Sequence, residues 1–302
     1  MTILFLFGAG ASCGSGRCFW RTNILKNPPL GKNLFSELLR EGGYASMVSS
    51  DLAEIFLGSF EKGMDKFYES NNTQLSGFLR DMAKYFVGFN PGRGNYYHEL
   101  IKIIRKAKPV IVTTNYDLLI EKSLYYSGLE AIYGPCPIHQ NGFSVLKIHG
   151  SCNFWPIGIN IHGIGFDISA VKNASILGSE IGVESINGVY KRCNIEDSIG
   201  PAIALYSPSK QMLYGKQFVE TQKNYWLKLA NEASVIYVIG LAVNTEDHHI
   251  WGTLGTCPGV INYVGGEGDV FLNWSKNNGR TLDNVIANTF KDSLSVIKDN
   301  MA

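Results

Sequence analysis

Short unbroken apolar runs, each closed by glycine or small polar residues, recur along the chain. The first, Ile3–Phe7 (ILFLF), stops at Gly8-Ala9-Gly10; others occupy Val110–Thr114, Ser144–His149, Val235–Gly240 and Val260–Val264. Runs this short and this rich in β-branched residues fit strands buried on both faces, as in parallel sheets. Between them the apolar period changes. Tyr97, Leu100, Ile101 and Ile104 recur at helical spacing, and Pro109 stops that helix just before a strand. Leu118–Leu124 and Gln217–Ala230 follow the same helical pattern. Strands alternating with helices predict right-handed crossovers and a Rossmann-like, doubly wound parallel sheet of the α/β class.

Two stretches depart from this alternation. Residues 30–95 carry helical patterns (Asn33–Arg40, Leu52–Phe56, Gln74–Phe86) but no buried strand, and predict a helical insertion. Residues 151–200 are rich in Gly, Ile, Asn and Ser, and predict a loop-rich or small β elaboration over the carboxyl edge of the sheet. The Rossmann-like core is then 1–20 with 105–265, and a tail over 280–302 contains a last helix, Leu282–Ile297. The expectation is a single domain spanning 1–302.

Composition narrows the function classes. The 302 residues carry 27 basic and 26 acidic side chains, a net charge of +1, without a long run of like charge. A protein gripping nucleic acid through its phosphates shows a basic excess or stripe, so direct nucleic-acid binding is not expected. Six cysteines are spread over positions 13 to 257 with no CxxC pair, which fits neither a disulfide framework nor a four-cysteine zinc site. No apolar run approaches the roughly 20 residues that cross a bilayer. The N-terminal run is too short for an export signal, so a cytoplasmic protein is expected.

Candidate chemistry gathers at the strand ends. In FGAGASCGSG, residues 7–16, the glycines of a turn after a strand let the backbone approach a diphosphate, although Cys13 stands where the third glycine of GxGxxG would be. TTNYD, residues 113–117, follows a strand at the edge where open α/β sheets hold ligands; alternatively Asn115 or Thr114 caps a helix beginning near Tyr116. LKIHGS, residues 146–151, puts His149 at a strand end before glycine, which suits a general base or, equally, a structural imidazole. Gly240 ends a further strand before LAVNTEDHHIW. There His248 and His249 diverge by about 100° on a helix, a poor metal pair, while Glu246, Asp247 and His248 read as capping and solvated residues.

Taken together, GAGAS, TTNYD, IHGS and the late IG segment stand in the order and context of the sirtuin (Sir2) fold. The chain resembles the bacterial Sir2-like branch found in anti-phage defence systems. Pro201–Lys210 (PAIALYSPSK) is similar to a segment preceding the late helix in that branch. The departures from protein deacylases are specific. Only Cys152 and Cys193 follow the HG motif, so the two CxxC pairs of the deacylase zinc module are missing and no metal is expected. GRCFWRTN replaces GIPDFR, and Thr114 stands at the glutamine position of TQN.

The resemblance implies an NAD glycohydrolase of the cytoplasm, with NAD as substrate. Gly8, Ala9, Gly10 and Ser12 would cradle the diphosphate; Thr114, Ser151 and Gly240 would line the NAD pocket; Asp117 would bind the carboxamide. Asn115 would position a water near the ribose carbon and His149 would act as base, giving nicotinamide and ADP-ribose. An internal attack would give a cyclic product instead. An enzyme that destroys NAD needs an off state, and the resemblance implies control by homo-oligomerisation, a HerA-type ATPase or a phage-derived activator during abortive infection. The helical insertion and the last helix are the expected assembly surfaces. The alternatives are a zinc-free NAD-dependent protein deacylase or ADP-ribosyltransferase, and a non-catalytic NAD or ADP-ribose sensor.

Overall fold

Along strand β1 (Thr2–Phe7), Leu4 and Leu6 join one buried cluster while Phe5 and Phe7 stack elsewhere, Phe5 on Tyr237 at 4.7 Å and Phe7 edge-on to Tyr97 at 5.3 Å. Successive strand residues face opposite ways, so a strand in mid-sheet needs apolar residues at every position. That is the origin of ILFLF. The computed structural model describes all residues except 1, 22, 71–73, 137–140, 158–179, 196–198, 205–211, 213 and 302.

Among the described residues, β1 belongs to a seven-stranded sheet with β2 (Val110–Thr113), β3 (Glu130–Ile132), β4 (Gly142–Lys147), β5 (Ala233–Ile239), β6 (Val260–Val264) and β7 (Asn284–Ala287). The order across it is β7-β6-β5-β1-β2-β4-β3, and every pairing is parallel. The doubly wound parallel sheet is therefore present. From β1 the chain builds outward on one side through β2, β3 and β4, then returns to build β5, β6 and β7 on the other. This reversal makes the carboxyl ends of β5, β1 and β2 the switch point, where open sheets leave a crevice for ligands.

The chain divides into two compact units. The first, Met1–Pro28 with Phe89–Ile148 and Thr221–Ala302, contains the sheet. Its main cluster packs Leu4, Leu6, Val112, Leu146 and Val238 with Trp226, Trp251 and Phe271. Each such side chain contributes about 1.5–3 kcal/mol when fully buried. A small antiparallel sheet in this unit pairs Cys18–Trp20 with both Ile24–Leu25 and Phe89–Pro91. The second unit joins Pro29–Gly88 to His149–Glu220. Its helices Gly31–Glu41, Ser50–Gly58, Phe60–Glu69 and Leu75–Val87 meet in an aromatic cluster, with Phe56 stacked on Phe35 at 4.4 Å and on Phe78 at 5.5 Å. From the later segment, Ile199 accepts a hydrogen bond from Arg80 at 3.1 Å, and Tyr214 shares one with Ser76 at 2.7 Å.

Several elements differ from the sequence expectation. The five strands read from the sequence are the five inner strands; β3 and β7, the two edges, are the ones it lacks. The stretch read as one helix from Leu282 is strand β7 followed by the helix Phe290–Met301. Leu282, Val285, Ile286 and Phe290 fall at helical spacing by accident, across a strand and a turn. Inside 151–200 the described residues hold a two-stranded antiparallel sheet, Phe154–Pro156 with Ile181–Val183, and the helix Ile186–Cys193; residues 158–179 lie outside the described part. No described helix is long and apolar enough to cross a membrane.

Candidate active site

At the carboxyl end of β1 the chain turns directly into the short helix Ala9–Cys13. The turn is locked to the end of β5: Gly8 donates to the Ile239 carbonyl at 3.0 Å and Gly10 to the Gly240 carbonyl at 2.8 Å. The approach is so close that a Cβ on Gly8 would stand 2.6 Å from the Gly240 oxygen, and one on Gly10 2.8 Å from the same atom. Gly240 itself has φ +65° and leaves 2.0 Å between an added Cβ and the Ala11 nitrogen. These three glycines are required by one another. Read from the sequence, the turn fits either a diphosphate cradle or a plain tight turn; in the structure these glycines let two strand ends touch. Ala9, Gly10 and Gly240 remain half-exposed, so this backbone is open on its outer side.

The end of β2 is fastened to the same turn. Thr114 donates its N–H to the Phe7 carbonyl at 3.1 Å, and Asn115 donates its own to the Thr113 hydroxyl at 3.0 Å. The Asn115 side chain is buried, its Nδ2 giving hydrogen bonds of 3.0 Å to both the Gly8 carbonyl and the Ser12 hydroxyl. With both amide hydrogens engaged, Asn115 has only its carbonyl oxygen to offer a ligand. Ser12 is in turn 3.0 Å from the Tyr97 hydroxyl. Ser12 thus sits behind Asn115 as a support.

Tyr97 is a site residue that the sequence does not single out, because its helical spacing marks it equally as core. Burial, and then the charge of Asp117, push its phenol well above the ordinary value of 10, while hydrogen bonds with Ser12 and Asn115 pull the other way. It stays a neutral hydroxyl near pH 7. Tyr97→Phe is expected to cost about 1 kcal/mol of stability, read from a urea denaturation midpoint, since Ser12 keeps Asn115 as a donor.

Asp117 is buried, and its Oδ1 accepts the Leu119 N–H at 2.9 Å. The helix after β2 begins at Leu119 rather than near Tyr116; its N-cap residue, Leu118, makes no side-chain cap bond, and the Asp117 carboxylate just before it takes the Leu119 N–H, so neither Asn115 nor Thr114 caps the helix. Lys147, the final residue of β4 and fully buried, also lies against this segment.

His149, Gly150 and Ser151 belong to the second unit. The His149 carbonyl accepts the Ala204 N–H at 2.8 Å, and Ser151 donates to the Ala202 carbonyl at 3.0 Å. Gly150 has φ +80°, and a Cβ there would stand 2.0 Å from the Ala202 oxygen. His149 is buried, and the Ser151 hydroxyl is buried without a hydrogen-bond partner among the described residues. The PAIALYSPSK segment therefore enters through Ala202 and Ala204; its residues 205–210 lie outside the described part.

The other polar candidates are structural. Glu246 donates its N–H to the Asn244 side-chain oxygen at 3.1 Å, and Asp247 starts the π-helical turn His248–Gly252 with its main chain, not its carboxylate. Cys152 and Cys193 form no disulfide; burial pushes Cys193 up to about 12, and its Sγ donates to the Arg80 carbonyl at 3.3 Å. Among the described residues no group of three His, Cys, Asp or Glu side chains is placed to hold a metal.

No family model matches the sequence, and no curated protein matches it. Solved structures do. One described as the structural basis for the mechanism and regulation of Sir2 enzymes aligns with a TM-score of 0.50 at 13% identity, covering 99% of this chain and 92% of that one. A Sir2 homologue bound to ADP-ribose aligns at 0.48 and 12% identity over 99% and 90% of the two chains. A Sir2 homologue in complex with NAD aligns at 0.45 and 13% over 99% and 88%. On the first of these, the fold is Sir2-like.

Proposed function

We propose that the chain binds NAD and hydrolyses its nicotinamide–ribose bond. The observation that carries this reading is the fixed Asn115: two hydrogen bonds hold its amide at the switch point of a Sir2-like sheet, with its oxygen left as the acceptor. Starting the next helix does not call for it, since the Asp117 carboxylate takes the Leu119 N–H. Beside Asn115, the accessible backbone of Ala9, Gly10 and Gly240 suits a dinucleotide. In the second unit, the buried Ser151 hydroxyl lacks a hydrogen-bond partner among the described residues. His149 and Ser151 come to this reading from the sequence motif IHGS that follows β4.

In this reading NAD is the substrate, and its pyridinium supplies a leaving group that departs neutral. Asn115 accepts a hydrogen bond from a water and holds it toward the ribose carbon. His149 takes the proton that water loses as its oxygen bonds to that carbon. Asp117 accepts from the nicotinamide carboxamide with the oxygen not bonded to the Leu119 N–H. Thr114 lines the pocket beside Asn115, and the Gly8–Ser12 turn receives the diphosphate on its open backbone. The products are nicotinamide and ADP-ribose.

The biological setting rests on the resemblance to Sir2-like proteins of anti-phage defence, and the toxicity of the reaction calls for an off state. We place the enzyme in the cytoplasm, acting in abortive infection against phage, and held off until homo-oligomerisation, a HerA-type ATPase or a phage-derived activator releases it. The purified full chain, incubated with NAD with and without its genomic neighbours, is expected to release nicotinamide and ADP-ribose in equal amounts on chromatography. Conversion only in the presence of an acylated peptide points instead to a deacylase or ADP-ribosyltransferase. Tight NAD binding with no product in either mixture points to a sensor.

A further inference from the structure

Lys147 is out of character with its strand. It ends β4, directly beside Thr113 of β2, and its side chain is fully buried. The ammonium donates to the main-chain carbonyl of Asp117 at 2.5 Å and pairs with Glu121 Oε1 at 3.1 Å. That same carboxylate oxygen accepts the Tyr133 hydroxyl at 3.2 Å, while the other, Oε2, is buried with no hydrogen-bond partner among the described residues. The Lys147 N–H is taken by Gln222 Oε1 at 2.6 Å. A buried ion pair is a poor way to gain stability, because desolvating two charges offsets their attraction, and a well-packed apolar pair in the same volume does as well or better. What the pair does provide is a fixed donor aimed at one carbonyl. Asp117 is where the TTNYD segment turns into the helix Leu119–Tyr126, two residues beyond Asn115.

We propose that Lys147 is a positioning residue: with Glu121 as counter-ion, it clamps the Asp117 carbonyl and so fixes the main chain that aims the Asn115 and Asp117 side chains. Its catalytic consequence rests on the NAD-cleavage reading; the clamp itself does not. Without the ammonium, the Asp117 peptide is held only by its neighbours, and both side chains lose their aim by a fraction of an ångström. Displacements of that size cost on the order of 10–10² in rate when a reacting water must be placed.

The test uses the full chain in three forms: wild type, Lys147→Met, and the double variant Lys147→Met with Glu121→Gln, which leaves no lone charge. Three quantities are measured on each: the thermal unfolding midpoint, kcat and KM for nicotinamide release, and hydrogen exchange of the Asn115 and Leu119 amides. Those two amides are bonded to the Thr113 hydroxyl and the Asp117 carboxylate. The expected result for the double variant is a recovered melting point with kcat still down on the order of 10–10² and KM within about threefold of wild type, together with faster exchange at both amides. A double variant that regains turnover along with its melting point, or unchanged exchange at both amides, overturns the proposal. If Lys147→Met does not fold, the double variant carries the same measurements. If wild type leaves NAD intact, the NAD reading fails, and exchange alone decides the clamp.

Discussion

If the chain cleaves NAD as proposed, Asn115→Ala and His149→Ala are each expected to lower nicotinamide release by about 10²–10⁴-fold, the usual cost of losing a water-positioning or proton-accepting group. The reasons differ for the two residues. Removing the Asn115 side chain deletes the acceptor that would hold water, and it also frees the Gly8 carbonyl and the Ser12 hydroxyl. Each lost hydrogen bond costs about 1 kcal/mol, too little to unfold a domain of ordinary stability. Removing the His149 ring leaves its carbonyl bonded to Ala204, so the local backbone keeps its anchor. Activity therefore falls while far-UV circular dichroism stays native. Full turnover in both folded variants would remove these residues from the chemistry.

Gly240→Ala is expected to be severely damaging to the fold. The new Cβ stands 2.0 Å from the Ala11 nitrogen and 2.5 Å from the Gly10 carbonyl carbon, both main-chain atoms that no rotamer can move aside. The residue also keeps φ at +65°, a conformation costing a side-chain-bearing residue about 1–2 kcal/mol on its own. A total above about 4 kcal/mol follows, a large share of a typical domain's stability. Gly266→Ala is the control, since nothing lies within 4 Å of its Cβ position. Equal urea midpoints for the two variants would show that the turns separate more easily than their contacts imply.

Those two sites mark how far the sequence can be read. Periodicity finds the strands that are buried on both sides, because every residue there must be apolar. It lacks Glu130–Ile132 and Asn284–Ala287, short edge strands with one half-open face, which leave too few obligatory positions to form a pattern. The helix after β7 does carry a start signal: Thr289 accepts the Asp292 N–H at 3.2 Å and shares its hydroxyl with that carboxylate. At the site, Asn115 and Asp117 are legible because polar residues at a strand end are conspicuous. Their supports are not. Tyr97 is indistinguishable by spacing from the core leucine and isoleucines of its helix, and Lys147 reads as one charge in a motif whose histidine draws the eye. Which residue holds another in place depends on pairing across the sheet, and a linear pattern does not record that.

The second unit is assembled from two separate stretches, one leaving the chain after Pro28 and the other after Ile148. Arg80 of the first reaches the Ile199 carbonyl of the second, and Cys193 of the second donates back to the Arg80 carbonyl. The two stretches are therefore expected to fold as one body, and deleting residues 29–88 is expected to leave the segment that begins with His149 without the partners it packs on.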